Sequence, residues 1–393
     1  MSESWPTIPL GQIVRSGELS YGIVQPGREE PGGVPIVRVK DLAQGRISTR
    51  APLRVLPSIS EQHSRTVLRG GELLVSIVGT VGESAIVPEG LAGWNVARAI
   101  AVVRPLGVSA TWVRLALGTR EVRATLESVL NTTVQATLNL ADLKRLRIPM
   151  PPEATRNAIS EVLGALDDKI AANDNLRTLT DSLCRARFQR ASASHNVEKL
   201  SSIAVVNVAT VRPRVDGMLR YVDISSVGQG SFDFPEESKW NEAPGRARRV
   251  LRAGDTIWST VRPNRRSHAL VLDEDSSLIA STGLAVLTPL DGRIAGLYES
   301  CRTDQFVGYL ESVAEGSAYP AVRADRFNNA PVPALRAEEW AEFERFALPL
   351  RQRAHAAAVE SRNLAATRDE LLPLLMSGKI RVRDAERQVE DVL

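Results

Sequence analysis

Cysteine is almost absent from this chain: Cys184 and Cys301 are the two in 393 residues. They fall in different repeat units with no cysteine nearby, so neither a disulfide framework nor a cysteine-based metal knot is expected. Histidine is nearly as scarce. His63, His195, His268 and His355 are scattered without ligand spacing, which argues against zinc. Long apolar runs are missing too; the longest, residues 73–78 and 99–103, are strand-sized and too short to span a bilayer. Residues 1–10 hold no basic segment followed by an apolar one, so no signal peptide is read there. The expected setting is reducing and cytoplasmic.

What the chain has is a duplication. Val34-Pro-Ile-Val-Arg-Val-Lys-Asp-Leu-Ala-Gln-Gly45 returns as Leu219-Arg-Tyr-Val-Asp-Ile-Ser-Ser-Val-Gly-Gln-Gly230. Gly71-Glu-Leu-Leu-Val-Ser-Ile-Val78 returns as Gly254-Asp-Thr-Ile-Trp-Ser-Thr-Val261, and Pro149-Met-Pro151 as Pro331-Val-Pro333. The offset stays at about 184 residues, far longer than a solenoid or propeller repeat, so a whole domain with its helix is duplicated. Such a chain is suited to two partners or two half-sites related by a pseudo-twofold.

The texture within each copy changes once. Residues 1–152 read as short strands at 35–39, 72–78, 84–87 and 97–103, with one short helix over 110–130. Residues 153–191 then read as one long helix of roughly 55 Å. Its apolar stripe carries Ile159, Leu166, Ile170, Leu176, Leu179 and Leu183. Residues 192–335 repeat the strand-rich texture, and 336–380 form a second long helix, with a tail over 381–393. Leu350, Leu364, Leu371 and Leu375 carry the second stripe. Pro349 should bend or interrupt that helix, and Gly378-Lys-Ile380 should close it. An Asn-Leu pair sits 188 residues on rather than 184, at 175–176 and 363–364, which predicts one extra turn in the second helix. Two stripes of this length are best buried against each other, giving an antiparallel, coiled-coil-like stalk. The alternative is that each helix packs on its own globular unit.

Net charge is close to balanced, yet residues 1–152 hold 17 Lys+Arg against 12 Asp+Glu. Arg246, Arg248, Arg249, Arg252, Arg262, Arg265 and Arg266 crowd into one stretch of the second copy. Arginine forks suit phosphates and guanine edges; a GC-rich coding sequence would favour the same residue.

These motifs resemble a known family, the specificity subunits of type I restriction-modification systems. Ile148-Pro-Met-Pro-Pro152, Leu166-Asp-Asp-Lys-Ile170, Asn173 and Asn175-Leu176 are similar to its first helical region. Arg368-Asp-Glu-Leu-Leu-Pro-Leu-Leu-Met-Ser-Gly-Lys-Ile380 resembles its closing helix. Residues 71–82 and 254–266 look like the family's Gly-Asp strand-and-loop elements; residues 320–335 match 135–150 poorly. The resemblance implies an α+β fold: two similar strand-rich target recognition domains separated by two long helices. It implies a non-catalytic reader of bipartite, asymmetric double-stranded DNA. Two modification subunits would bring S-adenosylmethionine and methylate adenine at N6, and restriction subunits would cut unmodified DNA.

An S-adenosylmethionine enzyme would itself need a Gly-rich strand-to-helix turn and an Asn/Asp-Pro-Pro-aromatic tetrad, and neither is present. Ser76-Ile-Val-Gly79-Thr-Val-Gly82 lacks the end of a P-loop and the third glycine of a dinucleotide fingerprint. It reads as a strand and tight turn with Gly79 or Gly82 at positive φ, or as amides and Thr80 offered to a phosphate. Asp167-Asp168 beside Lys169 reads as a solvated ion-paired helix face. No catalytic residue, metal site or cofactor is assigned to the chain.

The DNA-contact candidates are Ser259, Arg262, Asn264, Arg265 and Arg266 in the second copy, with Pro263 fixing the loop. Salt bridges to Asp273, Glu274 and Asp275 are the competing reading of those arginines. The first copy offers Arg38, Lys40, Ser76, Thr80 and Arg98. Three other functions fit less of the sequence: a specificity subunit serving a methyltransferase without a nuclease, an enzyme with its own site, and a scaffold that does not touch DNA.

Overall fold

A computed structural model describes residues 5–43, 45–129, 136–193, 196–316 and 318–390. His195 and Leu130 lie outside the described residues. The chain divides into two compact units, and the division runs through both long helices. One unit is Met1–Ala171 with Arg362–Leu393; the other is Ala172–Ser361.

In the first unit, Val14–Tyr21, Ile100–Pro105, Leu73–Ser76 and Ser84–Ile86 form an antiparallel sheet. Its central strands read as unbroken apolar runs because both faces are covered, and the two-residue alternation sorts their side chains between two cores. Leu73, Val75, Ala101 and Val103 face a core shared with the helices, while Leu74, Ala85, Ile100 and Val102 face another. A second sheet orders Leu53–Val55, Val34–Val37 and Asn95–Val96, the last two parallel. Thr7–Pro9 pairs with Arg147–Pro149 just before the long helix, and the Trp112 indole N–H donates to the Pro149 carbonyl at 2.8 Å.

The second unit repeats this plan. Ala204–Val206, Leu284–Pro289, Thr256–Ser259 and His268–Leu270 give a sheet of the same order. Trp258, Ala285 and Leu287 face one core, and Ile257, Ala269, Leu284 and Val286 the other. The second sheet orders Glu237–Lys239, Met218–Val222, Leu278–Ser281 and Ala247–Val250, with the middle pair parallel. Val197–Lys199 pairs with Pro331–Pro333. The poorly matching stretch keeps its plan, too. Helix Leu140–Arg145 and strand Arg147–Pro149 correspond to the 3-10 helix Ala324–Asn329 and strand Pro331–Pro333.

The helix expected over 110–130 is two helices, Ala110–Leu117 and Arg120–Ser128. Extended backbone at Thr119 breaks the run after Gly118, and the second copy breaks likewise between Ile294–Ser300 and Asp304–Ser312.

The long helices are Glu153–Ser192 and Ala337–Met376, 40 residues each. The extra turn is therefore not expressed as length. Burial follows the 184-residue offset, pairing Leu163 with Ala347, Asn173 with Ala357 and Thr180 with Leu364. Pro349 does not interrupt its helix. It costs one backbone hydrogen bond, while buried Phe343, Ala347 and Arg351 hold the turns on either side. In the second unit the two helices run antiparallel: Asn173 donates to Glu360 at 2.7 Å, Asp181 meets Arg351 at 2.8 Å, and Arg187 meets Glu342. In the first unit Ile159, Leu166 and Ile170 share a core with Leu364, Leu371 and Leu375.

Three stripe positions are corrected. Leu179 and Leu183 are 68% and 52% exposed, and Leu176 is only half-buried. The buried face rotates to Thr180, Cys184 and Phe188, because Phe188 meets the rings of Trp340 and Phe343 at 6.2 and 5.1 Å. Leu350 packs at the margin of that core. Cys184 and Cys301, expected in separate units, are free thiols buried in the same core. The tail is helical over Val382–Glu390, tucking Ala385 and Val389 into the first unit's core.

Candidate nucleic-acid interface

Each unit ends one central strand in a loop built by the same hydrogen bonds. In the first, the Ile77 amide donates to the Ala99 carbonyl, the Gly79 amide to Ala136, and the Leu138 amide to Ile77, at 2.8, 3.0 and 2.8 Å. In the second, Thr260 donates to Gly283, Arg262 to Pro320, and Val322 to Thr260, at 2.9, 2.7 and 2.8 Å. Arg262 therefore occupies the place of Gly79, and Arg266 that of Gly82.

The backbone follows suit. Gly79 and Gly82 have φ of 81° and 89°, and Arg262 and Arg266 have φ of 51° and 54°. Left-handed backbone is free for glycine and costs about 1–2 kcal/mol at a residue with a side chain. Two arginines held there point to a job for their side chains. The scaffold is rigid: Pro263 is buried, Gln229 donates to the Arg265 carbonyl at 3.0 Å, and His268 Nδ1 donates to the Arg266 carbonyl at 2.6 Å. His268 stacks on Trp258 at 5.4 Å. Burial pushes its pKa down to about 4, so it stays neutral.

The side chains divide by environment. Asn264 and Arg265 are exposed. Arg266 pairs with Asp304 at 2.6 Å, and Arg262 lies over the Tyr319 ring at 4.4 Å. None takes the acids that competed for them: Asp275 meets Arg220 at 3.0 Å and Asp273 meets His355 at 3.6 Å. Ser259 is buried, its hydroxyl donating to the Val261 carbonyl at 2.8 Å, so it shapes the loop and cannot reach a groove. Ser76 is buried likewise, its hydroxyl donating to the Thr80 carbonyl. Thr80, Lys40 and Arg98 are exposed. The Arg38 fork is committed to Asp41 at 2.8 and 3.0 Å and to the Ala51 carbonyl at 3.0 Å. Arg246 and Arg248 are engaged locally, with Asp223 and with the Gly245 carbonyl, both at 2.8 Å. Tyr319, Gln229 and His268 are loop components that local sequence patterns did not reveal.

Beneath each globular part, helices meet through charge. In the first unit Asp167 holds both Arg114 and Arg368, the latter at 2.8 Å, so it is a partly buried ion-pair centre rather than a solvated face. In the second unit the residue 184 positions on is Arg351, and the polarity is inverted: Arg351 holds Glu299 and Asp181. Arg302 grips Asp181 with both arms at 2.8 Å and Glu299 at 3.2 Å, and both guanidiniums sit 4.9 Å from the Tyr298 ring centre. Burial raises the Asp181 carboxyl, but the Arg302 hydrogen bond and the two arginine charges outweigh it and hold it at about 2. Burial pushes Glu299 upward and Tyr298 up to about 12.

Among the described residues no trio of His, Cys, Asp or Glu could hold a metal ion, and no helix is long and apolar enough to cross a membrane.

Known proteins resemble this arrangement. Residues 3–179 match the family of type I restriction modification DNA specificity domains. The specificity subunit of the type I restriction enzyme EcoBI from Escherichia coli is 29% identical over 198 residues, which are 48% of this chain and 42% of that protein. The match thus spans less than half of that relative's length. The crystal structure of a type I restriction-modification S subunit from M. genitalium covers 94% of this chain and 96% of its own, with TM-score 0.57 and 14% identity, a likeness of fold. Residues 3–179 thus resemble a type I DNA specificity domain, and the chain shares its fold with a type I S subunit.

Proposed function

We propose that the chain reads a split, asymmetric double-stranded DNA site and directs partner subunits to it. Residues 1–152 and 192–335 act as the two target recognition domains, one per half-site. Modification subunits carrying S-adenosylmethionine methylate adenine at N6, and restriction subunits cut unmodified DNA. The chain contributes recognition, not catalysis.

One observation carries the reading: the same loop is built twice on the same hydrogen bonds, with different chemistry in each copy. Gly79-Thr-Val-Gly82 offers backbone amides and a hydroxyl; Arg262-Pro-Asn-Arg-Arg266 offers guanidinium forks and a carboxamide. Duplication supplies two readers, and the altered loop supplies two specificities. The exposed Leu179 and Leu183, one helical turn apart on a long helix, are suited to a partner subunit's apolar surface.

Binding by the full chain with its modification subunit tests this. Affinity should fall steeply with salt, because phosphate contacts release counterions. Charge reversal at Arg262 and Arg265 should weaken binding to DNA carrying the site by more than 10-fold. Unchanged binding and a flat salt dependence would leave the protein-scaffold reading in its place.

A further inference from the structure

Three features meet at Arg262. Its backbone is held in the left-handed region at φ 51° and ψ 64°, where the first unit has glycine. Its guanidinium lies 4.4 Å from the Tyr319 ring centre, and Tyr319 is itself 68% exposed. It makes no ion pair with any described residue. Arg266, by contrast, pairs with Asp304, and Arg265 is simply exposed. A phosphate contact tolerates a loose cation. Reading a base edge needs a planar fork already held in place, so that little side-chain freedom is lost on binding.

The Tyr319 segment is tied to the same loop. The Arg262 amide donates to the Pro320 carbonyl at 2.7 Å, and Val261 bridges Ala321. Arg262 and the aromatic beneath it therefore move as one piece. Resting on the reading of the chain as a DNA-recognition subunit, we infer that Arg262, stacked on Tyr319, is the guanine-reading residue of the second recognition domain. Its fork donates two N–H groups to O6 and N7 of a guanine in the major groove. Arg266 braces the loop through Asp304, and Arg265 supplies phosphate attraction. The structural counterpart of Arg262 is Gly79, so the first domain cannot read guanine from this place, and the two half-sites differ there.

The test uses the full chain with its modification subunit. N6-methyladenine mapping in a methylation-free host supplies the wild-type site. Purified complexes are then titrated against duplexes carrying each single base-pair substitution. R262G installs the residue that the first domain uses at this turn, so the backbone is served and only the side chain is lost. Discrimination at one G·C pair of one half-site should collapse by roughly 10- to 100-fold, the worth of one bidentate contact. All other positions should hold within about twofold. R262K should lose part of it, since lysine keeps the charge and its donors but lacks the planar fork stacked on the ring. Y319F should keep it and Y319A should lose part of it, since the ring face alone serves as the platform. A full set of wild-type ratios in R262G, or full discrimination in R262K, would overturn the inference. A wild-type chain that directs no split motif would instead overturn the reading on which it rests.

Discussion

The inverted charge centre of the second unit makes a quantitative prediction. Arg351, only 9% exposed, joins Asp181 of the first long helix to Glu299 of the globular part, whose side chain is 1% exposed. Arg351→Met keeps most of the packing but removes one cation from a buried network. Breaking such a pair typically costs 3–5 kcal/mol, because an uncompensated charge stays behind. Here Arg302 still contacts both Asp181 and Glu299, so the lower end, about 3 kcal/mol, is expected. Glu299→Gln alone should cost about 2 kcal/mol, leaving two cations against Asp181 alone. In the double variant the two-armed Arg302–Asp181 pair is left balanced, so its cost should fall short of the sum by about 2 kcal/mol. Urea unfolding followed by circular dichroism measures all three. An Arg351→Met cost under about 1 kcal/mol, or strict additivity, would refute the network as the junction between the globular part and the helices.

Three further predictions follow from particular residues. His268, buried and held near 4, takes a proton only after the unfolded chain has done so at about 6.5. The second unit should therefore lose on the order of 3 kcal/mol as pH falls from 6.5 to 4. Urea midpoints against pH for wild type and His268→Asn isolate this, since the variant should lose less over that window. Gly378 has φ of 70°, and a Cβ there would stand 2.8 Å from the Trp5 ring, whereas Gly90 has open space. Thermal melting should show Gly378→Ala costing about 2 kcal/mol or more and Gly90→Ala almost nothing. The pair Leu179→Ser and Leu183→Ser should leave stability within about 1 kcal/mol, because both are exposed, yet weaken modification-subunit binding more than 10-fold by calorimetry.

The duplication, the strand positions and both long helices were legible because each leaves a local trace: repetition, short apolar runs, helical spacing. What escaped depends on neighbours far along the chain. Counting apolar residues put Leu179 and Leu183 inside, but aromatic partners from 340–343 pull the opposite face of that helix into the core. Residue type made Ser76 and Ser259 look like contacts, although both are buried at the ends of their strands. The partner of Arg266 is Asp304, 38 residues on, rather than the acids at 273–275. Tyr319 and His268 carry no motif of their own. They matter because the second copy folds its loop as the first does while placing arginine at two turns built for glycine.

The most direct test of the account is a genome-wide map of N6-methyladenine in a methylation-free host expressing this chain with its modification subunit, alone and together. Two different half-sites at fixed separation, methylated only when both proteins are present, is the predicted result. One continuous motif, or methylation that does not depend on this chain, would contradict it.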